Sequence, residues 1–346
     1  MLRVKPSSGR RSAAATFSRL REKEEHGSEI MQTSTIEPKF REITSGLKFP
    51  EGPVAMPDGS VILVEIARQT LTRVMPDGKQ HVIANLGGGP NGAAMGPNGK
   101  IYITNNGGFT WITLPDGRTF PGTQPAEYRG GSIQVVDPET GKFETLYDSC
   151  DGRKLNGPND LVFDDSGGFW FTDLGKTRER DNDRGAVYYA RADGSRIEEK
   201  IFPLERPNGC GLSPDEKTLY VVETPTARCW SFELSAPGEI KSANGPYRGE
   251  KGRVVVGLGG FQMFDSLAVD SAGHVCVATL VTGAVSDIWP DGSRVDQYKL
   301  PDRMVTNVCF GGDGLRTAYA TLSLSGKLVA FEWPRAGHKL KHLNRS

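Results

Sequence analysis

The sequence predicts an all-β protein, a six-bladed β-propeller with four-stranded antiparallel blades. From Phe49 onward, one unit recurs at intervals of 40, 68, 49, 57 and 42 residues. Each unit starts with Asn or an acidic residue and continues with an alternating apolar stretch and a Gly-containing turn. The chain also has 43 glycines and 22 prolines among 346 residues, which indicates many turns between short elements. Repeats of roughly 40 to 50 residues with four strands each are typical of propeller blades.

The first polar residue of each unit is called its anchor residue. The six anchor residues are Glu51, Asn91, Asn159, Asn208, Asp265 and Asn307. Apolar residues near the third and fifth positions after each anchor show the period of two that is typical of a half-buried strand. After the turn, a second strand is predicted in each unit, at residues 60–65, 100–104, 169–173, 218–222, 274–279 and 317–321. Later hairpin turns, such as Pro-Asp-Gly after residues 72–75, predict a third and a fourth strand.

Three further features define the organisation of the chain. The longer intervals predict insertions at residues 105–130 and 236–252, which we expect at a mouth of the channel. Residues 40–48 are predicted to close the ring by joining the last blade. The propeller domain is predicted at residues 36–340, after an N-terminal extension at residues 1–35. Because arginines stand among Ser and Ala in this extension, it is either an organelle-targeting segment or a disordered segment ahead of Met31.

Composition excludes several classes of function. The 42 basic residues balance 42 acidic ones without a long basic run, so no nucleic-acid partner is predicted. No apolar stretch approaches the roughly 18 residues of a membrane span, so no membrane partner is predicted either. The five cysteines include no Cys-x-x-Cys pair, which argues against a disulfide framework and predicts a reducing, cytoplasmic location. Only His81 and His274 among five histidines lie outside the chain ends, and neither is in a motif of a catalytic triad or a zinc site.

The anchor residues predict a site on the propeller axis. The innermost strand of each blade lines the central channel, so the six anchors should point to one place. All six carry side-chain oxygen and none is His or Cys, and such donors suit a hard cation. Calcium is the first choice, with magnesium, manganese or zinc as alternatives. The competing interpretation is that these polar residues only bind loop backbone at the strand starts.

Several motifs resemble those of the SMP-30/gluconolactonase/regucalcin-like family. They lie at residues 49–53, 155–162, 171–173, 206–209 and 306–312, and the resemblance spans residues 40–335. It implies six-bladed propellers that hydrolyse sugar lactones or related esters with a divalent metal. By resemblance, the metal ligands are Glu51, Asn159, Asn208 and Asp265. Two motifs depart from the family pattern: Phe264 and Ser266 flank Asp265 where Pro-Asp-Gly is usual, and Leu174 stands where Pro often follows Phe-Thr-Asp.

These assignments imply roles for individual residues. Asp265 is expected to orient or deprotonate the attacking water, or to attack the substrate directly. Asn91, Asn307 and Asn106 are expected to contact the substrate. Asp160 follows a ligand and would face away from the axis on an ideal strand, so it is not expected to be a ligand.

The sequence therefore predicts a divalent-metal-dependent hydrolase that opens a sugar lactone or related cyclic ester. One alternative is an organophosphate or ester hydrolase on the same metal site. The other is a non-catalytic, calcium-binding propeller.

Overall fold

Six antiparallel sheets, one for each repeat, form the blades in the computed structural model, which describes residues 31–241 and 252–345. In every blade, the strand that contains the anchor residue is the innermost one. The six inner strands pack side by side and close into a ring around the axis. The prediction of an all-β, six-bladed propeller is confirmed.

The strands are given for each blade from the axis outward. Blade one consists of Pro50–Ala55, Val61–Glu65, Thr70–Val74 and Gln80–Asn85. Blade two consists of Pro90–Met95, Ile101–Asn105, Ser132–Val136 and Phe143–Tyr147. Blade three consists of Pro158–Phe163, Gly168–Asp173, Gly185–Arg191 and Ile197–Leu204.

Blade four consists of Pro207–Leu212, Thr218–Glu223, Arg228–Ala236 and Arg253–Gly257, with Glu239–Ile240 also paired to its third strand. Blade five consists of Met263–Val269, Val275–Leu280, Ala284–Ile288, Arg294–Lys299 and Gln32–Ile36. Blade six consists of Val305–Gly311, Thr317–Leu322, Lys327–Glu332 and Phe40–Thr44. Outside the blades lie two hairpins, Trp111–Thr113 with Thr119–Pro121 and Ser149–Cys150 with Arg153–Lys154, and the 3-10 helices Pro97–Gly99 and Asp313–Leu315.

The N-terminal part of the described chain closes the ring. Phe40–Thr44 pairs antiparallel with Lys327–Glu332 as the outer strand of blade six, as predicted. Gln32–Ile36 adds a parallel fifth strand to blade five. The boundary predicted at residue 35 therefore falls inside a strand, and residues 1–30 of the predicted extension lie outside the described residues.

Apolar side chains pack between neighbouring blades. The second strands are buried along nearly their whole length, as in Val61–Glu65, because a neighbouring blade covers each of their faces. Aromatic pairs join adjacent blades: the ring centroids of Tyr102 and Phe163 lie 5.0 Å apart, and those of Tyr298 and Trp333 lie 4.5 Å apart. This packing fixes the angle between blades and with it the position of the inner strands.

All six inner strands are irregular at their start. The pairing register shifts at or beside every anchor residue, where a β-bulge interrupts the regular alternation of side chains. In blade three, the shift lies between Pro158 and Leu161 and includes Asn159 and Asp160. Consecutive residues at these positions are therefore free of the strict in-out pattern of an ideal strand.

The end of the chain covers the far end of the channel from the anchor residues. The backbone N–H groups of Gly337 and His338 donate to Leu315 O and Val269 O, at 2.8 Å and 3.1 Å. Arg345 reaches Asp165 of blade three, with Nη1 2.5 Å from a carboxylate oxygen. A cavity of about 120 Å³ lies between this segment and the inner strands. Among the described residues, none of the helices is long and apolar enough to cross a bilayer.

Candidate metal centre and active site

The structure places the anchor residues at one end of the ring of inner strands. Their side chains are buried except for Asp265, which is half-buried. Glu51 and Asn307 meet directly, because Asn307 Nδ2 donates to Glu51 Oε2 at 2.7 Å. Asn208 and the charge of Glu51 both act on the pKa of Asp265, and the Ser266 hydroxyl beside Asp265 donates to Asn208 Oδ1 at 3.4 Å. The anchors of blades one, four, five and six thus form one polar group on the axis.

Asn91 and Asn159 join this group through close backbone packing. Gly52 has φ +51°, and a Cβ at that position would lie 2.7 Å from Ala93 N and 2.9 Å from Asn91 O. Glycine is therefore required beside Glu51, where the backbones of blades one and two approach closely. The Gly52 N–H also donates to Glu51 Oε2 at 2.7 Å, which fixes the orientation of that carboxyl.

Threonines on the second strands hold the anchors of the next blade. Thr104 Oγ1 of blade two donates to Asn159 O at 2.5 Å, and Thr172 Oγ1 of blade three donates to Asn208 O at 2.5 Å. In addition, Asn208 Nδ2 donates to Thr224 Oγ1 at 3.1 Å. The two threonine bonds to backbone oxygens join neighbouring blades. The position of an anchor residue therefore depends on the blade before it as well as on its own blade.

Three carboxyl groups near the axis lie close enough for their charges to act on one another, and we call Glu51, Asp160 and Asp265 the carboxylate cluster. Burial raises the pKa of Glu51 to about 7. Burial and then the charge of Glu51 raise the pKa of Asp160 to about 8, and the same two causes raise the pKa of Asp265 well above its usual range. Three anions cannot share a buried site without a compensating cation or bound protons.

Asp160 was not expected in this group, and the reason is the bulge in blade three. On an ideal strand it would face away from its neighbour Asn159, but the register shift between Pro158 and Leu161 removes that alternation. Its carboxyl accepts a hydrogen bond from the Leu161 N–H at 2.9 Å, and the nearby Ser266 acts to lower its pKa. The Asn-Asp dipeptide at a strand start was the sequence signal that could have identified it.

One oxygen in the group has no partner. Asn159 Oδ1 is buried and accepts no hydrogen bond from any described residue. A buried acceptor left in this way costs free energy, roughly 1–3 kcal/mol, unless a ligand takes it. The unpartnered amide oxygen and the carboxylate cluster together match the all-oxygen donor set that hard divalent cations prefer.

Asn106 lies at the same end of the propeller but in a separate set of contacts. It follows the second strand of blade two and is fully buried. Its Oδ1 accepts the Gly108 N–H at 2.8 Å and faces Lys176 Nζ at 3.5 Å, whereas its Nδ2 has no acceptor among the described residues. Lys176 was not singled out from the sequence. Its side chain is only 1% exposed, and burial lowers its pKa to about 8.

The predicted insertion in blade two forms the hairpin Trp111–Thr113 with Thr119–Pro121. Trp111 packs on Phe49 with ring centroids 5.3 Å apart, next to the start of the inner strand of blade one. Phe109 lies against Lys176, with the ring centroid 4.4 Å from Nζ. The insertion therefore lies over the anchor end of the channel. Most of the second predicted insertion falls outside the described residues.

A second acidic group occurs at the opposite end of blade five. Ligand atoms of Asp270, Cys276 and Asp287 lie within 4.8 Å of one another. Arg335 forms ion pairs with both carboxylates, and His274 Nδ1 lies 2.8 Å from Asp287 Oδ1. Because the guanidinium already supplies the positive charge, this group is best explained as an ionic anchor for the C-terminal segment.

The comparisons with known proteins agree with the fold and with the position of the motifs. The family model described as the SMP-30/Gluconolactonase/LRE-like region matches residues 49–323. A gluconolactonase of Zymomonas mobilis is 27% identical over 296 residues, which cover 79% of this chain and 76% of that protein. A diisopropyl-fluorophosphatase of Loligo vulgaris is 24% identical over 333 residues, which cover 89% of this chain and 96% of that protein. The crystal structure of a calcium-binding protein, regucalcin, from Agrobacterium tumefaciens has a TM-score of 0.69 at 19% identity and covers 92% of this chain and 100% of that chain.

Proposed function

Because the chain belongs to the SMP-30/Gluconolactonase/LRE-like family, we propose that it is a divalent-metal-dependent hydrolase that opens a lactone, either a sugar lactone or a related cyclic ester. The gluconolactonase relative supports hydrolysis of a lactone. Metal dependence is supported by one observation, the presence near the axis of three interacting carboxyl groups together with a buried amide oxygen that has no partner among the described residues.

We assign the metal ligands as Glu51, Asn159, Asn208 and Asp265. Their donors are all oxygen, and two of them are carboxylates that would balance a divalent charge. Calcium remains the first choice, with magnesium, manganese and zinc as alternatives. When bound there, such an ion would polarise the lactone carbonyl and acidify a water molecule.

Asp265 is assigned as the catalytic residue, and its surroundings define its task. As a carboxylate, it accepts a proton from the attacking water while the water oxygen bonds to the carbonyl carbon. The bond between that carbon and the ring oxygen then breaks, and the proton passes to the ring oxygen, which gives a hydroxy acid. A direct attack by Asp265 is the alternative. In that route the Asp265 oxygen bonds to the carbonyl carbon, the bond to the ring oxygen breaks, and water hydrolyses the resulting mixed anhydride. Label found in the Asp265 side chain after a single turnover in ¹⁸O-water would identify this route, because water that attacks the aspartyl carbonyl leaves its oxygen there.

Three asparagines are assigned to the substrate. Asn307 uses one N–H to hold Glu51, and its other N–H remains for a substrate oxygen. Asn91 is buried beside Gly52 at the same level of the axis. Asn106 offers its unpartnered Nδ2 as a donor. The set suits a substrate that carries several hydroxyl or carbonyl oxygens.

The fluorophosphatase relative favours a second candidate, hydrolysis of organophosphates or other esters on the same metal site.

We also propose a cytoplasmic location for the protein, because all five cysteines are free thiols.

The test is a panel of aldonolactones, plain γ- and δ-lactones, aryl esters and a fluorophosphate, assayed on the full chain before and after chelation. Lactone hydrolysis that chelation abolishes and calcium restores is expected. Glu51→Gln should weaken the metal response, whereas Glu42→Gln, a surface control paired with Lys327, should not. Hydrolysis that survives chelation would contradict metal dependence. Calcium-dependent stabilisation without any turnover would instead indicate a non-catalytic calcium-binding propeller.

A further inference from the structure

Lys176 is a buried lysine without a directly bonded carboxylate among the described residues. Its side chain is 1% exposed, and the charges of Asp173 and Asp183 act on it without forming an ion pair. Asp173, three residues earlier, pairs with Pro158 at the start of the inner strand of blade three, so Lys176 lies at the anchor end of the propeller. Lysines are almost never fully buried without a partner, because removing an ammonium from water is costly. Such a residue needs a specific explanation.

The ammonium is held by the insertion of blade two. Lys176 Nζ donates to Gly108 O at 2.6 Å and approaches Asn106 Oδ1 at 3.5 Å. It also lies over the rings of Phe109 and Tyr128, 4.4 Å and 5.1 Å from their centroids. Attraction to two aromatic faces offsets part of the desolvation cost. The side chain therefore links blade three to the segment that contains Asn106.

The contact with Lys176 helps to fix the orientation of the Asn106 amide. Its Oδ1 accepts the Gly108 N–H at 2.8 Å, which fixes which end of the amide is oxygen, and the ammonium of Lys176 lies on the same oxygen. The amide cannot flip without placing its NH₂ group against an N–H and an ammonium. Its Nδ2 is consequently directed away from both, and it is buried with no acceptor among the described residues. A buried donor left unpartnered costs roughly 1–3 kcal/mol, which a ligand oxygen would recover.

We propose that Lys176 is a positioning residue that locks the Asn106 amide, so that Asn106 Nδ2 donates to a hydroxyl oxygen of the substrate. This inference rests on the proposed lactonase function. It names a substrate class, because a fixed buried donor discriminates against ligands that lack the matching oxygen. Lactones with ring hydroxyl groups are therefore preferred over unsubstituted lactones of the same ring size.

The test compares D-glucono-1,5-lactone with δ-valerolactone as substrates of the full chain loaded with calcium. The variants are Lys176→Met, which keeps length and apolar contacts but removes the charge, Asn106→Ala, and the double variant. The ratio of kcat/KM for the hydroxylated over the plain lactone should fall about tenfold for Asn106→Ala, the value of one hydrogen bond. For Lys176→Met, the same ratio should fall several-fold. In the double variant, the ratio should fall no further than in Asn106→Ala alone, because both changes remove the same interaction.

Two controls separate positioning from packing. Lys154→Met removes an exposed lysine that also donates to a backbone carbonyl, Arg129 O at 3.0 Å, and should leave the ratio unchanged. Lys176→Gln keeps a donor near Asn106 and should restore most of the ratio. Additive losses in the double variant, or an equal loss for both lactones, would overturn the proposal.

A crystal structure of Lys176→Met keeps the inference testable if the wild-type protein turns over neither lactone. That kinetic result alone would contradict the proposed function. The positioning role predicts that the Asn106 amide rotates or becomes disordered once the ammonium is removed. An unchanged Asn106 side chain in the variant would refute the positioning role independently of any activity.

Discussion

Replacing Asp160 by Asn should stabilise the metal-free protein in alkaline solution. The pKa of Asp160 is raised from 3.8 to about 8 by burial and by the charge of Glu51. Between these two values the folded protein holds a proton that the unfolded chain releases, so stability falls as the pH rises through this window. One pKa unit corresponds to about 1.4 kcal/mol, and the shift therefore costs the folded state about 5 kcal/mol near pH 8.

The substitution removes this cost and adds a smaller one. Asp160 accepts a hydrogen bond from the Leu161 N–H at 2.9 Å, and Ser266 and the Cys210 backbone lie near its carboxyl. The amide of Asn keeps an acceptor oxygen for Leu161, but its NH₂ group would face nearby donors at a cost of roughly 1–3 kcal/mol. The electrostatic relief is larger, and the expected net gain is about 2–4 kcal/mol at pH 8.5.

Urea denaturation of the wild type and the variant, in the presence of a chelator at pH 6 and pH 8.5, measures the difference between their free energies of unfolding. The advantage of Asp160→Asn should narrow at pH 6, where wild-type Asp160 is protonated, and it should reverse in saturating calcium, where the carboxylate is attracted to the cation. The matched control is Asp164→Asn, which follows the same strand and accepts hydrogen bonds from Ser166, Gly168 and Tyr189. This control should destabilise the protein at both pH values. A metal-free Asp160→Asn protein that is less stable than wild type at pH 8.5 would refute the reasoning.

Three further predictions concern the metal, the catalytic residue and the C-terminal segment. Chelation should lower the Tm, and calcium at a hundredfold excess over its Kd should restore about 2.7 kcal/mol of stability; an unchanged Tm would contradict a resident ion. Asp265→Asn should reduce kcat at saturating metal by roughly 10²- to 10⁴-fold, whereas Asn208→Asp should bind metal at least as well as wild type. Near-native kcat in Asp265→Asn would show that Asp265 is only a ligand. Arg335→Met leaves Asp270 and Asp287 buried without their partner and should cost about 3–5 kcal/mol in urea denaturation; a loss below about 1 kcal/mol would contradict the ionic anchor.

The repeat pattern was sufficient to predict the fold. Anchor residues at blade-sized intervals, each followed by a strand and a turn, give six sheets and identify the inner strand of each. The closing strand Phe40–Thr44 could also be predicted, because a propeller must complete its last blade. The strand Gln32–Ile36 was missed, since its parallel pairing with Arg294–Lys299 joins segments more than 250 residues apart and leaves no local signal.

The contacts of two other basic residues could not be predicted for the same reason. Lys176 reaches Asn106 across 70 residues, and Arg335 reaches Asp270 across 65. Neither pair corresponds to a sequence motif, because both contacts depend on the direction that the chain takes after the end of a strand. An ordinary lysine or arginine in a loop is expected to be solvated, and only the packed structure shows that Lys176 is buried and that Arg335 binds two buried carboxylates.

The sequence analysis expected Asp160 to face away from the axis. That expectation did not hold because of the way in which all the inner strands begin. Every blade has a register shift at its anchor, so the residue after the anchor also lies close to the neighbouring blade. In blade one that residue is Gly52, and a Cβ there would lie 2.7 Å from a backbone nitrogen of blade two. In blade four it is Gly209, and a Cβ there would lie 2.5 Å from a backbone nitrogen of blade five. In blade three the same position accommodates a carboxyl side chain. The bulge that directs Asn159 to the axis therefore also brings Asp160 there, and the third carboxyl group of the cluster follows from the geometry that positions the proposed ligand.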